Sequence, residues 1–216
     1  MNELKDYFNA ISKLNDSTWA KVLPLFKEDK LLKNEYFAKE NKIARQIAFL
    51  KTGVVRAFFI NKEGKDYNKQ FFVGQSIIGA YTSLLSGNTN LIAQQALTDC
   101  LIYTCDYKSL TALFDECPDL ERFARKIAEH YFLEKEKKEI EIVLLDASQR
   151  YVLFQKEFPT LQQLISQFHI ASYLGISATQ LSRIRKQFAT KLSPIHFFTY
   201  VNGFPFVWWL LCIILI

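Results

Sequence analysis

Residues 166–188 constrain the fold of this chain more than any other segment, because they combine two short helices with a sharp turn. Ile170, Tyr173 and Leu174 recur at three- and four-residue spacing, which is typical of a short amphipathic helix. Gly175 follows where the chain must turn, and glycine adopts a positive φ without steric cost. The pattern predicts one helix that ends at Gly175 and a second helix that begins directly after it.

The second helix has its own start signal and a polar outer face. Ser177 is a good N-cap, and Gln180 three residues later completes a capping-box pattern. Leu181, Ile184 and Phe188 supply the apolar inner face. The residues expected to reach a DNA major groove are Ser177, Ala178, Thr179, Gln180, Ser182, Arg183 and Lys186. This helix-turn-helix predicts binding to double-stranded DNA; the alternative is an ordinary helical hairpin with a solvated basic face.

The positive charge of the chain is concentrated in the same region. The chain has 27 basic and 22 acidic side chains, which gives a formal net charge of +5. Residues 150–191 hold six basic side chains and one acidic side chain, whereas residues 1–149 carry 21 of each sign. All of the excess positive charge therefore lies where phosphate neutralisation would use it.

Composition excludes several classes of protein. Half of the residues are hydrophobic, so a disordered chain is excluded. The cysteines and histidines are scattered without metal-ligand spacing, and we expect no metal site and a reduced, cytoplasmic protein. The N-terminal segment carries acids and no apolar run, so it does not read as a signal peptide. Paired carboxylates, a nucleophile–base pair and a glycine-rich phosphate loop are all missing from the sequence, which argues against an enzyme.

Residues 43–114 show the signals of short strands joined by tight turns. The predicted strands are Ile47–Leu50, Val54–Ile60, Tyr67–Val73 and Gln94–Tyr103. Gly53 marks the turn between the first two strands, and Asn61–Gly64 marks a hairpin turn before the third. Strands at this spacing predict a compact β-barrel or jelly roll.

A long helix follows the strands. Pro118 is a plausible first-turn residue, and the polar run Glu134–Glu139 continues the helix as a solvated face. One apolar stripe recurs at helical spacing, at Leu120, Phe123, Ile127 and Tyr131. A helix of about 25 residues with one narrow stripe is longer than a small barrel needs, so we expect this stripe to pair with a second copy of the chain. The alternative is that the stripe packs against its own barrel.

The order of β-roll, long helix and helix-turn-helix resembles the cyclic-AMP receptor protein/FNR (Crp/Fnr) family of transcription regulators. The resemblance covers residues 1 to about 190 and is most specific in three segments, Ala147–Tyr151, Ile170–Ser177 and Leu181–Arg185. Gly53–Arg56 matches more weakly within the roll. The resemblance implies a dimeric, sequence-specific regulator of transcription that contacts RNA polymerase.

The family resemblance also implies an α+β fold with a definite domain order. It places a cyclic-nucleotide-binding-like β-roll, a jelly roll, in residues 1–115 and a connecting dimerisation helix in residues 116–147. A winged-helix-type helix-turn-helix then occupies residues 148–191, and an apolar tail follows in residues 192–216.

The second helix of the motif, called the reading helix below because it would enter the major groove, matches the residues of the family only in part. Arg183 matches the family's recognition arginine, and an arginine in this place can contact guanine through two hydrogen bonds. Ala178 and Thr179 stand where the cyclic-AMP receptor protein has an arginine and a glutamate. We therefore expect an operator that differs from the site of the cyclic-AMP receptor protein.

The nucleotide cassette of the family is degenerate in this chain. The matching positions, which form the candidate effector pocket, are Gly79, Ala80, Tyr81, Asn90 and Leu91. Ala80 replaces the glutamate that holds the ribose, and Asn90-Leu91 replace the arginine and serine that hold the cyclic phosphate. Because a buried phosphate without a cation loses its main charge-assisted contact, we do not expect cyclic AMP as effector. FNR-type redox sensing needs an N-terminal cysteine cluster, and no cysteine precedes Cys100.

The apolar tail leaves three interpretations open. It could pack on the body of the protein, anchor the chain to a membrane, or be a non-native terminus such as a frameshifted coding end. The last is favoured because the composition changes abruptly. For the whole chain, the alternative to a regulator is a degenerate nucleotide-type module that acts through protein or membrane contacts.

Overall fold

The computed structural model describes residues 1–192, with side chains as far as Ala189. The helices are α1 (Asn2–Ile11), α2 (Asp16–Val22), α3 (Tyr81–Ser86), α4 (Tyr107–Thr111), α5 (Pro118–Leu144), α6 (Ala147–Glu157), α7 (Leu161–Leu164), α8 (Gln167–Tyr173) and α9 (Ala178–Leu192). The strands are β1 (Lys27–Leu31), β2 (Tyr36–Ala38), β3 (Gln46–Thr52), β4 (Val54–Ile60), β5 (Asp66–Val73), β6 (Ser76–Ile78), β7 (Ala93–Ala96) and β8 (Cys100–Asp106). The interpretations of the apolar tail concern residues 193–216, which lie outside the described residues.

Two four-stranded antiparallel sheets form the β-roll. Their strand orders are β1-β8-β3-β6 and β2-β7-β4-β5. The predicted hairpin between β4 and β5 closes at Asn61–Gly64, where the Gly64 N–H donates to the Asn61 carbonyl at 3.0 Å. Gly53 joins β3 to β4 with φ +103°, a conformation that favours glycine. The roll and both of these turns were therefore predicted correctly.

The expected strand Gln94–Tyr103 is wrong as a single element. The structure has two strands instead, β7 and β8, and they belong to different sheets. The segment Leu97–Asp99 lies between them, and the chain changes sheet there. Apolar residues on both sides of that bend concealed the break in the sequence. The charged strand β1 and the short strand β2 gave no alternating pattern and were not predicted.

The apolar stripe of α5 lies in the protein's own core, which corrects the expectation of a dimer face there. Leu120 and Phe123 are buried with α1, α2 and β3, and the Phe123 ring stacks on Phe8 at 3.8 Å. Ile127 packs against the same cluster, and Tyr131 packs on the interior of the roll. The alternative interpretation, packing against the chain's own barrel, is the one that the structure shows for these four residues.

The second half of α5 exposes a different apolar face. Its large exposed side chains are Phe132, Leu133, Ile140, Ile142, Val143 and Leu144. No helix within residues 1–192 is long and apolar enough to cross a membrane.

The chain divides into two compact units, Met1–Leu181 and a second that begins at Ser182. The first unit contains the roll, α5 and the short helices α6 to α8. Asp146 starts α6 with a full capping box, in which its side chain and that of Gln149 bond each other's backbone N–H groups. Between Ala147 and Leu192 the described residues form helices and no strand, so the strands of a wing are not among them.

Candidate DNA-binding site

The turn of the helix-turn-helix has the predicted geometry. Gly175 has φ +68°, and two hydrogen bonds close the end of α8 around it. The Ile176 N–H donates to the Ala171 carbonyl at 3.0 Å, and the Gly175 N–H donates to the Ser172 carbonyl at 3.2 Å. This pair of bonds is the Schellman arrangement, in which glycine takes the left-handed position. The chain is thereby redirected within three residues into the start of α9.

The start of α9 is capped as the sequence predicts. The Ser177 hydroxyl oxygen accepts a hydrogen bond from the Gln180 N–H at 3.1 Å, which satisfies one of the free donors of the first turn. Leu181 is fully buried one turn after the cap. The residues Ser177 to Gln180 are all exposed, so the first turn of the predicted reading helix is open to a partner.

The remaining predicted DNA contacts lie further along α9. Ser182, Arg183 and Lys186 are exposed. Helical periodicity places Thr179, Arg183 and Lys186 on one face. An arginine on such a face suits a guanine edge, and a lysine suits a phosphate.

One of the six basic residues counted in this region has an internal role. The Arg150 guanidinium donates to the Leu145 carbonyl and, at 3.2 Å, to the Leu174 carbonyl. It therefore satisfies carbonyl groups at the ends of α5 and α8. Its charge is committed within the protein, so it is a poor candidate for phosphate contact.

Helix α8 packs on the β4–β5 hairpin through hydrogen bonds that the sequence did not predict. The Asn68 N–H donates to the Ser172 hydroxyl at 2.9 Å, and that hydroxyl donates to the Asp66 carbonyl at 2.8 Å. The Asn68 side-chain amide donates to the His169 carbonyl at 3.2 Å. The available signal was Arg56, a charged residue inside the apolar run Val54–Ile60, because a charge in a buried strand requires partners.

His169 is held in its neutral form. Burial, together with the nearby guanidinium of Arg56, lowers the pKa of His169 to about 4, while Asp66 opposes the shift. The Arg56 Nη1 lies 3.2 Å from His169 Nδ1. Since guanidinium only donates, the neutral imidazole must accept at Nδ1. His169 thus serves α8 packing rather than a ligand.

In the degenerate cassette, Asn90 makes hydrogen bonds to the surrounding backbone. The Asn90 side-chain amide donates to the Ile92 carbonyl at 2.5 Å and to the Lys39 carbonyl at 3.5 Å, and its oxygen accepts from the Ile92 N–H at 3.1 Å. Its backbone N–H donates to the Lys42 carbonyl at 2.8 Å. Asn90 is buried, so the residue that replaces the phosphate-binding arginine is used to fix a loop.

The other cassette positions differ in burial. Ala80 is buried, whereas Tyr81 and Leu91 are 45% and 71% exposed. A Cβ atom on Gly79 would lie 3.1 Å from Ile47 Cγ2, so close packing accounts for this glycine. Gly79 and Asn90 are therefore used in the packing of the roll, and neither residue supplies a positive charge to a phosphate.

Comparison with known proteins gives similarity at the level of structure. The sequence matches no family model and no curated protein. FixK2 from Bradyrhizobium japonicum has a TM-score of 0.69 at 20% identity, over 77% of this chain and 85% of that one. CLP from Xanthomonas campestris, a c-di-GMP-responsive global regulator, has a TM-score of 0.65 at 16% identity, over 82% and 93%.

A third solved structure agrees with these two. A CooA variant from Carboxydothermus hydrogenoformans has a TM-score of 0.63 at 18% identity, over 83% of this chain and 87% of that one. These proteins are regulators of the Crp/Fnr family. The chain therefore has the Crp/Fnr fold, with a cyclic-nucleotide-binding-like roll, a long helix and a helix-turn-helix, as the sequence predicted.

Proposed function

We propose that this protein is a sequence-specific DNA-binding regulator of transcription and not an enzyme. The capped and exposed first turn of α9, directly after the Gly175 turn, is the observation that carries the proposal. The Crp/Fnr fold and the excess positive charge in residues 150–191 support it. From the family resemblance we extend the proposal to RNA polymerase as protein partner, which transcription in vitro from a promoter carrying the operator would test.

Selection of bound duplexes from random DNA tests DNA reading directly. The full chain is incubated with a random duplex library at two salt concentrations, and the retained sequences are determined. We expect a two-fold symmetric motif whose half-sites lie about one helical turn apart. Retention that depends on salt but yields no motif would contradict the proposal and would favour a module that acts through protein contacts.

We propose further that the regulator is a dimer formed by the second half of α5. Leu133, Ile140 and Leu144 lie at spacings of seven and four residues, which places them on one helical face. Phe132 and Val143 flank them, with exposed fractions of 63% and 81%. A second copy of the same face is the simplest cover for such a stripe, as in a two-stranded coiled coil.

Sedimentation of matched variants tests this dimer. Leu133 on α5 and Leu85 on α3 are 60% and 62% exposed, so leucine-to-glutamate changes at the two sites perturb similar surfaces. We expect the wild type and Leu85→Glu to sediment as dimers at micromolar concentration and Leu133→Glu to sediment as a monomer. A monomeric wild type, or a dimeric Leu133→Glu variant, would contradict this interface.

We infer that the signal of this regulator is not a cyclic nucleotide. The inference follows from Asn90, whose side chain is occupied by the backbone and brings no positive charge. Calorimetric titration of the full chain with cyclic AMP, cyclic GMP and cyclic di-GMP should give no heat of specific binding. Saturable binding of any of the three at a stoichiometry of one per chain would refute the inference.

A further inference from the structure

Arg56 is a buried cation with partners on two strands of the roll. Only 6% of the residue is exposed. Its Nε and Nη2 donate to the Gln95 side-chain oxygen on β7 at 3.0 and 2.8 Å, and its Nη1 donates to Asp66 at 2.6 Å on β5. The guanidinium carbon lies 3.6 Å from the centre of the Phe58 ring. These contacts fix the guanidinium plane against the outer face of the β2-β7-β4-β5 sheet.

The same guanidinium reaches helix α8. Its Nη1 lies 3.2 Å from His169 Nδ1 and 3.3 Å from Asn68 Oδ1. Asn68 is 1% exposed and bonds α8 through the Ser172 hydroxyl and the His169 carbonyl. The charge-assisted bonds of Arg56 hold Asp66 and Asn68 in place, and its contact with His169 extends this set of bonds to α8.

Strand β7 links this contact to the degenerate cassette. Gln94 neighbours Gln95 on β7, and its side-chain amide donates to the Gly79 carbonyl at 3.0 Å. Gln94 is 4% exposed, and its side-chain oxygen has no partner among the described residues. Since alternate residues of a strand face opposite sides, Gln94 faces the roll while Gln95 faces Arg56. A continuous path of hydrogen bonds and one strand therefore joins Gly79 to α8.

The contact does not cover the predicted reading surface. Residues Ser177 to Gln180 remain exposed while α8 is held. Holding α8 limits the orientations that α8 and the first turn of α9, which belong to the same compact unit as the roll, can take relative to the roll. A regulator that must place two such motifs on one duplex gains affinity from this restriction, because less freedom is lost on binding.

We propose that Arg56, with Asp66, Asn68, His169 and Ser172, is a latch that holds the helix-turn-helix ready for two-site DNA binding. Arg56 is a positioning residue: it touches no DNA and acts through α8. The inference rests on the proposed DNA-binding function. It predicts that weakening the latch lowers affinity for a palindromic operator more than affinity for a single half-site, since a lone motif needs no fixed partner.

Serine-to-alanine changes on α8 test the latch with a matched control. Ser172→Ala removes the hydroxyl that bonds Asn68 and Asp66, whereas Ser166→Ala removes an exposed hydroxyl that makes no cap bond. The operator found by selection is used as a palindrome and as a half-site duplex with the full chain. We expect Ser172→Ala to lower the palindrome-to-half-site affinity ratio about five- to a hundredfold, the range for two lost hydrogen bonds. Ser166→Ala should keep the wild-type ratio.

Substitutions at Arg56 test whether this residue positions α8. Arg56→Gln should lower the ratio at least as much as Ser172→Ala, while Lys62→Gln, which removes one exposed positive charge from the hairpin turn, should not. Hydrogen exchange at the Asn68 backbone amide should accelerate in Arg56→Gln, and because this variant keeps the Ser172 acceptor, the acceleration reports release of α8 without DNA.

The outcomes separate the latch from the proposed function. A wild-type protein that selects no motif refutes the DNA-binding function itself, and one that selects only an isolated half-site refutes the two-site binding on which the latch depends. A wild-type protein that selects a palindrome, combined with an unchanged ratio in both Ser172→Ala and Arg56→Gln, overturns the latch. A ratio that rises in either variant also overturns it, because the contact would then oppose DNA binding. Equal losses on palindrome and half-site would indicate damage to the fold and contradict the positioning role.

Discussion

The latch makes the stability of the protein depend on pH through His169. The imidazole faces the Arg56 guanidinium and the Asp66 carboxylate, and its pKa falls from 6.5 to about 4. The unfolded chain therefore binds a proton at His169 between these pH values, while the folded chain does not. Stability contributed by the neutral imidazole is complete above pH 6.5 and is lost as the pH falls towards 4.

The magnitude follows from the displacement of the pKa. One pKa unit corresponds to about 1.36 kcal/mol, so the full effect is about 3 kcal/mol. Between pH 7 and pH 5, where most but not all of the titration occurs, the loss is about 2 kcal/mol. This is a sizeable share of the free energy of unfolding of an ordinary domain.

Urea unfolding of the wild type and His169→Gln isolates this contribution. Glutamine at this position can still accept from Arg56 but does not titrate. The free energy of unfolding is measured for both proteins at pH 7, 6 and 5, and the difference between them is compared across pH. Glu157, whose pKa is raised by burial, titrates in both proteins and cancels in the difference. We expect the wild type to lose about 2 kcal/mol relative to the variant over this range. Parallel curves, or an NMR titration of His169 near pH 6.5, would refute the reasoning.

Two further sets of substitutions follow from the structure. Gly53→Ala should lower the free energy of unfolding by about 2 kcal/mol or more, because φ is +103° and a Cβ would lie 2.5 Å from Cys100 Sγ. Gly64→Ala, with φ +76° and no neighbour within 4 Å, should lower it by only about 1 kcal/mol. Thermal unfolding of the two variants measures the difference. Arg183→Ala should relax base preference in competition binding, whereas Lys186→Ala should weaken binding to all sequences and reduce its salt dependence; equal losses on operator and random DNA for Arg183→Ala would contradict the base contact.

The helix-turn-helix could be predicted because its signals are local. Gly175, Ser177 and Gln180 specify a turn and a cap within six residues, and the chemistry of each is satisfied by the backbone nearby. The hairpin Asn61–Gly64 was predictable for the same reason. A turn or a cap that is determined by a few neighbouring residues can therefore be predicted from the sequence alone.

The partners of an apolar face could not be predicted in this way. The stripe from Leu120 to Tyr131 and the exposed face from Phe132 to Leu144 belong to one helix, and periodicity shows only that each is apolar. What covers the first stripe is set by α1, α2 and the roll, which are distant in sequence. Within the second face, the charged run Glu134–Glu139 separates the apolar residues. The sequence therefore predicted a solvated surface for this part of α5.

The latch could not be predicted from the sequence because its residues are far apart in the chain. Arg56 and His169 are separated by 113 positions, and each taken alone has an ordinary explanation. A charged residue within the apolar run Val54–Ile60 is the one anomaly that sequence reasoning could have pursued. It indicates a buried partner without indicating which one.

Strand β7 connects the degenerate cassette to the latch. If a bound phosphate were needed to order the loop before β7, the conformation of β7 would depend on that ligand. Here Asn90 supplies that order through its own side chain, and β7 continues directly from it to Gln94 and Gln95. A strand held at one end by Asn90 and at the other by Arg56 has fewer states available without a ligand. If the proposed function holds, we expect this protein to hold α8 in place without a nucleotide, so that a signal would act by releasing the latch rather than by forming it.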